Sequence, residues 1–375
     1  MAGELLITAP RVVPGTGEPA ILEPGYVLVT DGRVAEVGGG TPPRRPDLAL
    51  GSGYLVPGLI DLQVNGYFGV NLADVEPAGW ALVARRLPET GITAFLPTFV
   101  TAPVAEMSHA LRCASVLVAD PPAGARVLGV HMEGPFLAPT RAGAHRREWV
   151  VTPTQATVAN LLTAGAGALR VVTLAPEVEG GLAAVAALAS AGVVVSVGHS
   201  DATAQQVAAA ADAGARMVTH LFNAQRGLHH REPGVAGQAL ADPRLTSGLI
   251  VDLHHVSPAA CAIAFAAAPG RYRLGGNLVE VRPGDGQAPR LADGTLAGSV
   301  LRMDRAVANA VAVGVGLAEA VAAASRIPAD LLGRPDLGRL NPGAAADLVW
   351  LDDDLRAQAT WVAGERLYPA GAVPA

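Results

Sequence analysis

Between residues 57 and 337, short apolar runs alternate with alanine-rich stretches, and this alternation sets the expected fold. The runs LIDLQVNG (59–66), ITAFLPTF (92–99), RVLGVHME (126–133), LRVVTLAP (169–176), VVVSVGHS (193–200), RMVTHLFN (216–223) and SGLIVDLHH (247–255) read as strands. Near-continuous hydrophobicity of this kind marks parallel strands buried on both faces. The stretches between them, such as PAGWALVARRLPETG and DATAQQVAAAADAG, read as helices. In the second, Asp201 or Ser200 is placed to cap the helix and Gly214 to close it. Repeated strand–helix units predict an α/β fold, a (β/α)8 barrel, with its chemistry at the carboxyl ends of the strands.

The two ends of the chain follow a different pattern. LLITAPRVV and YVLVTDGRVAEVG are rich in Val and Leu, with Asp31-Gly32 as a hairpin turn; DLVWLDDD and ATWVAGERLY, turning at Gly364, resemble them. The organisation predicted is a small β-sandwich domain built from both termini (1–56 plus 338–375) around a catalytic barrel (57–337). Seven strands precede the helix MDRAVANAVAVGV (303–315), and the barrel needs eight. After CAIAFAAAPGR the chain passes directly into YRLGGNLVEV, which reads as a hairpin arm. The eighth strand is not found in the sequence.

Composition narrows the function. With 375 residues, half of them hydrophobic, the chain can bury a large core. A net charge of −6 and the lack of any basic block argue against a nucleic-acid partner. All 27 basic residues are arginine, which excludes a Schiff-base lysine and a carboxylated lysine bridging two metals. Cys113 and Cys261, far apart, suit a reducing compartment. No apolar run is long enough to span a bilayer, and the start lacks the pattern of a secretory signal, so a cytoplasmic protein without a membrane partner is expected.

Three phrases carry candidate chemistry: His-Met-Glu-Gly-Pro (131–135), Gly-His-Ser-Asp-Ala-Thr (198–203) and Thr-His-Leu-Phe-Asn-Ala (219–224). Each puts a potential metal ligand, Glu133, His199 or His220, near the end of a predicted strand. One carboxylate and two imidazoles make a first shell for a divalent ion with a position left open, the arrangement that metal-dependent hydrolysis needs.

With PGLIDLQVNG (57–66), HMEGPF (131–136), GAH (143–145), GHSDAT, THLFNA, REPG (231–234), VDLHHV (251–256), GTLAGS (294–299) and PGAAADLV (342–349), almost the whole chain resembles the N-acetylglucosamine-6-phosphate deacetylase family, a branch of the amidohydrolase superfamily. The resemblance implies removal of acetate from a phosphorylated amino sugar, a metal held by Glu133, His199 and His220, and a homodimer. It places His145, Asn223, Ala224, Arg231, His255 and the Ala297-Gly298-Ser299 turn around the substrate. Arg231 is the natural phosphate partner because its guanidinium donates in pairs. His255 would polarise the acetyl carbonyl. Many relatives carry a His-x-His pair where this chain has Gln63-Val64-Asn65, which favours one divalent metal ion per subunit; zinc is the first expectation, with iron, manganese or cobalt compatible.

The resemblance also implies a general acid/base aspartate at the end of the eighth strand. That aspartate is not found. The flanking stretches are joined directly, Asn277 would stand in its place, and Asp252, Asp285 and Asp293 are the nearest alternatives. Two other functions therefore remain open: a barrel amidohydrolase acting on a different acylated amine, and a non-catalytic sugar-phosphate binder.

Overall fold

The computed structural model describes residues 3–17, 19–275 and 298–369. Eight parallel strands form a nearly closed barrel: β1 (Leu59–Val64), β2 (Ile92–Val100), β3 (Val130–Glu133), β4 (Leu169–Leu174), β5 (Val194–Val197), β6 (Met217–Val218), β7 (Thr246–Leu249) and β8 (Tyr272–Leu274). Neighbours pair in sequence order from β1 to β8. A two-residue strand, Arg126–Val127, precedes β3 and also pairs with β2. Helices wrap the outside. Trp80 and Val83 of the helix Pro77–Arg86, for example, join Phe95, Val172, Val195 and Val218 in one apolar cluster.

β8 corrects the sequence reading. Among the described residues Tyr272–Leu274 is a barrel strand, pairing in parallel with β7, Ser247 opposite Tyr272 and Leu249 opposite Leu274. Tyr272 and Leu274 pack into the apolar cluster, while Arg273 between them faces the other side and is almost wholly buried. An arginine in the middle of a three-residue strand carries no hydrophobic signature, so the pattern that revealed the other seven could not reveal this one. The helix cap is a second correction. The helix Ala204–Asp212 starts at Thr203, whose hydroxyl accepts from the Gln206 N–H while the Gln206 side chain accepts from the Thr203 N–H, a capping box. Ser200 and Asp201 instead serve the loop before it.

The chain ends share a sheet. Residues Arg11–Val12, Tyr54–Pro57, Leu348–Leu351, Ala357–Val362 and Glu365–Tyr368 form five strands in that order. A four-stranded sheet from the first fifty residues faces it, and Ile7, Val27, Val29, Leu55, Leu348 and Trp361 fill the space between. Asp31 and Gly32 both take positive φ at the tip of one hairpin, as do Ala363 and Gly364 at another. This domain is tied to the barrel by Arg126, whose guanidinium donates to both oxygens of buried Asp347 at 3.1 Å.

Candidate metal centre

Glu133 ends β3, His199 follows β5 and His220 follows β6, so three strand ends converge on one point. Glu133 Oε1 lies 3.3 Å from His199 Nε2 and 3.1 Å from His220 Nε2, and the two nitrogens are 3.0 Å apart. A tetrahedral ion with bonds of about 2.0–2.1 Å has ligand–ligand edges of about 3.3 Å, so this triangle is close to one face of such a polyhedron.

The ring tautomers suit the same purpose. His199 Nδ1 sits 3.0 Å from the Arg141 carbonyl and His220 Nδ1 3.1 Å from the Asn223 carbonyl. A carbonyl only accepts, so each Nδ1 carries the proton and each Nε2 turns a lone pair to the centre. Both histidines adopt left-handed backbone, φ 48° and 30°, as do Phe222 and Ala224. Such residues cost on the order of 1–3 kcal/mol each, strain that clusters where geometry serves a ligand.

Beneath the triangle lies a buried polar layer. His131 donates from Nδ1 to the Leu62 carbonyl and accepts at Nε2 from Thr173, which continues to Thr219 and Ser196. Burial pulls the His131 pKa down to about 4, keeping the ring neutral. Burial alone would raise the Glu133 carboxyl, but His199 and His220, as donors when no ion claims their Nε2 atoms, and nearby His145 hold it well below the usual range. It stands ready as an anion.

His145 also comes close: one of its nitrogens lies with atoms of Glu133 and His199 in a group no wider than 4.8 Å. Its Nδ1, however, accepts the Thr101 N–H at 3.2 Å. In the neutral ring the proton is then on Nε2, 3.7 Å from Glu133 Oε2. Burial first, and then His199, push its pKa down to about 3, so His145 is a neutral donor beside the three candidate ligands.

The other expected substrate residues lie on loops at the same strand ends. Asn223 and Ala224 are on the turn after β6, where the Ala224 carbonyl accepts the Ser200 N–H. Arg231 is exposed on a loop that Glu232 pins to the helix start, its Oε1 accepting the N–H groups of Ala204 and Gly234. After β7, Asp252 gathers His255 and Ser299: its Oδ2 accepts from His255 Nδ1 and from the Ser299 hydroxyl, both at 2.7 Å, and its Oδ1 accepts the N–H groups of His254 and His255. Gly298 has φ 101°, and Ala297 lies outside the described residues, as do Asn277, Asp285 and Asp293.

Sequence reasoning missed the supports: the Arg141 and Asn223 carbonyls, which no side-chain motif encodes, and Asp252 as the partner of His255. It also missed Arg273. Gln63, which stands where many relatives carry a histidine, donates to Glu133 Oε1 at 2.9 Å.

Residues 285–367 match the amidohydrolase family. The human N-acetylglucosamine-6-phosphate deacetylase is 38% identical over 384 residues, covering 94% of this chain and 90% of the human protein. The chain belongs to the N-acetylglucosamine-6-phosphate deacetylase family. An N-acetylgalactosamine-6-phosphate deacetylase of Escherichia coli O157:H7 is similar too, 40% identical over 330 residues, with 83% of this chain and 87% of that protein covered. Among solved structures, a mutant N-acetyl-D-glucosamine-6-phosphate deacetylase from Mycobacterium smegmatis, in complex with N-acetyl-D-glucosamine-6-phosphate, superposes with a TM-score of 0.91 at 35% identity, covering 97% of this chain and 99% of that one. The deacetylase family thus stands beside the barrel and the convergence of Glu133, His199 and His220.

Proposed function

We propose that this protein hydrolyses the acetamide of N-acetylglucosamine-6-phosphate to glucosamine-6-phosphate and acetate, using one divalent ion, zinc first among candidates, held by Glu133, His199 and His220. The triangle of Oε1 and two Nε2 atoms carries the reading. When bound, a divalent ion supplies Lewis acidity and makes water a nucleophile at neutral pH. The chain does the rest. Gln63 fixes the Glu133 carboxylate, and His145 offers an N–H beside it. His255, its Nδ1 engaged by Asp252, presents Nε2 to the acetyl oxygen; in the charged form both ring nitrogens donate. Arg231, with the backbone near Asn223 and Ala224, receives the phosphate, and the turn 297–299 borders the sugar. A cytoplasmic homodimer is the state in which we expect it to act; among the described residues no helix is long and apolar enough to cross a membrane.

A pocket that binds sugar phosphate without turning it over is the reading set against this one. Acetate release by zinc-loaded protein from N-acetylglucosamine-6-phosphate, its galactosamine epimer and unphosphorylated N-acetylglucosamine decides. We expect the phosphate to raise kcat/KM at least about 100-fold, and Arg231→Ala to lose most of that preference through KM. Equal rates with and without phosphate would overturn the substrate assignment. Tight binding with no acetate would establish the binder.

A further inference from the structure

β8 brings a buried cation under the metal centre. Arg273 is 2% exposed, among the largest fully enclosed side chains of the protein. Its Nη2 donates to Gln63 Oε1 at 3.2 Å, and Gln63 Nε2 donates onward to Glu133 Oε1 at 2.9 Å. The planar amide is thus read at both ends, guanidinium on one side and metal-ligating carboxylate on the other. Two glycines make the space. A Cβ on Gly248 of β7 would meet Nη2 at 2.7 Å, and one on Gly275 would stand 2.8 Å from Asp61 Oδ1 and 3.4 Å from Arg273 Nη1. Asp61 and Glu133, both buried, are the carboxylates that attract the guanidinium. Burial lowers its pKa only to about 10, so it stays charged at neutral pH.

A methionine or leucine would fill this volume without desolvating a charge, and Arg273 Nε has no hydrogen-bond partner among the described residues. Packing does not explain such a group; charge does. Enclosing a guanidinium costs more than enclosing a hydrocarbon of the same size, and the attraction of Asp61 and Glu133 offsets that cost.

We infer that Arg273 is a fixed internal cation, a positioning residue that acts on Glu133 through Gln63 and limits the centre to a single divalent ion bound with restrained affinity. The inference rests on the metal reading above. A guanidinium held against Gln63, one amide away from the Glu133 carboxylate, repels an incoming dication.

The test is zinc binding by metal-stripped protein, titrated against a chromophoric chelator, with total metal counted by mass spectrometry. The wild type takes one equivalent. Arg273→Met, or Arg273→Gln should the first not fold, binds zinc at least about tenfold more tightly and shows a larger gap in melting temperature between stripped and loaded forms. Arg273→Lys, which keeps the charge, stays within about threefold of wild type. Two equivalents in the wild type, or unchanged or weaker zinc binding in the neutral variants, overturn the inference while leaving the metal centre standing. No zinc binding in the wild type removes the centre, and this inference with it.

Discussion

His255 shows how a single contact decides chemistry. Its Nδ1 is committed to Asp252, which also gathers two backbone N–H groups and the Ser299 hydroxyl. Burial works against the Asp252 anion, yet these donors, with His255 foremost, hold its carboxyl far below the ordinary carboxylate range, so it stays anionic at any working pH. Asp252→Asn should cut kcat at least about tenfold with KM little changed, since the ring loses its orientation rather than the pocket its shape. Steady-state kinetics across pH 6–9 check this; a change confined to KM would contradict it. At this scale the sequence was informative where chemistry resides in contiguous phrases. HMEGP, GHSDAT and THLFNA each presented one ligand candidate, and the structure brings those three side chains within 3.3 Å of each other. The positive φ of His199 and His220 was not legible, because left-handed backbone at a histidine follows from the surrounding loops and not from the residue.

Among elements, seven strands were legible because each is an apolar run long enough to stand out between helices. The eighth was hidden by its length and by Arg273, whose polar interior role runs against the pattern that marks a buried strand. The helix Gly234–Ala241 shows a different limit: its end is set by Asp242. The Asp242 carboxylate accepts the Arg244 N–H and guanidinium, while its backbone carbonyl and that of Leu240 receive the Arg271 guanidinium. The Arg244 contact pulls the Asp242 pKa down to about 2. A carboxyl depressed in the folded state contributes stability above its unfolded value near 4 and loses it as pH falls through 2. Arg244 is 41% exposed, which screens the pair, so Asp242→Asn should cost about 1 kcal/mol at pH 7. Urea unfolding at several pH values should show the gap between variant and wild type closing below about pH 3. A gap that persists there would mean the end is held by packing instead.

At the level of the whole molecule, the terminal sheet shares an apolar cluster with the barrel, and Arg126–Asp347 adds a contact that combines burial with charge. Asp347 is 2% exposed on its side chain and also accepts the Ala363 N–H. Arg126→Met leaves that carboxylate enclosed beside a thioether and should lower the unfolding free energy by about 2 kcal/mol without altering KM, as chemical denaturation and kinetics would register. A neutral outcome would indicate that water reaches Asp347 once the guanidinium is gone. The gathering of both chain ends into one domain was legible from their matching Val-rich, turn-punctuated patterns, but the interleaving of their strands was not, since pairing partners leave no mark in either segment alone.

That interleaving bears on how the molecule is made. Tyr54–Pro57 lies between Arg11–Val12 and Leu348–Leu351, so one edge of an early strand meets its neighbour only when the last part of the chain has left the ribosome. For most of synthesis this edge is an open invitation to any other nascent chain. The barrel between the two halves must therefore assemble while its N-terminal flank waits, and growth conditions that slow translation late in the message should raise the yield of aggregates rather than of truncated but active enzyme.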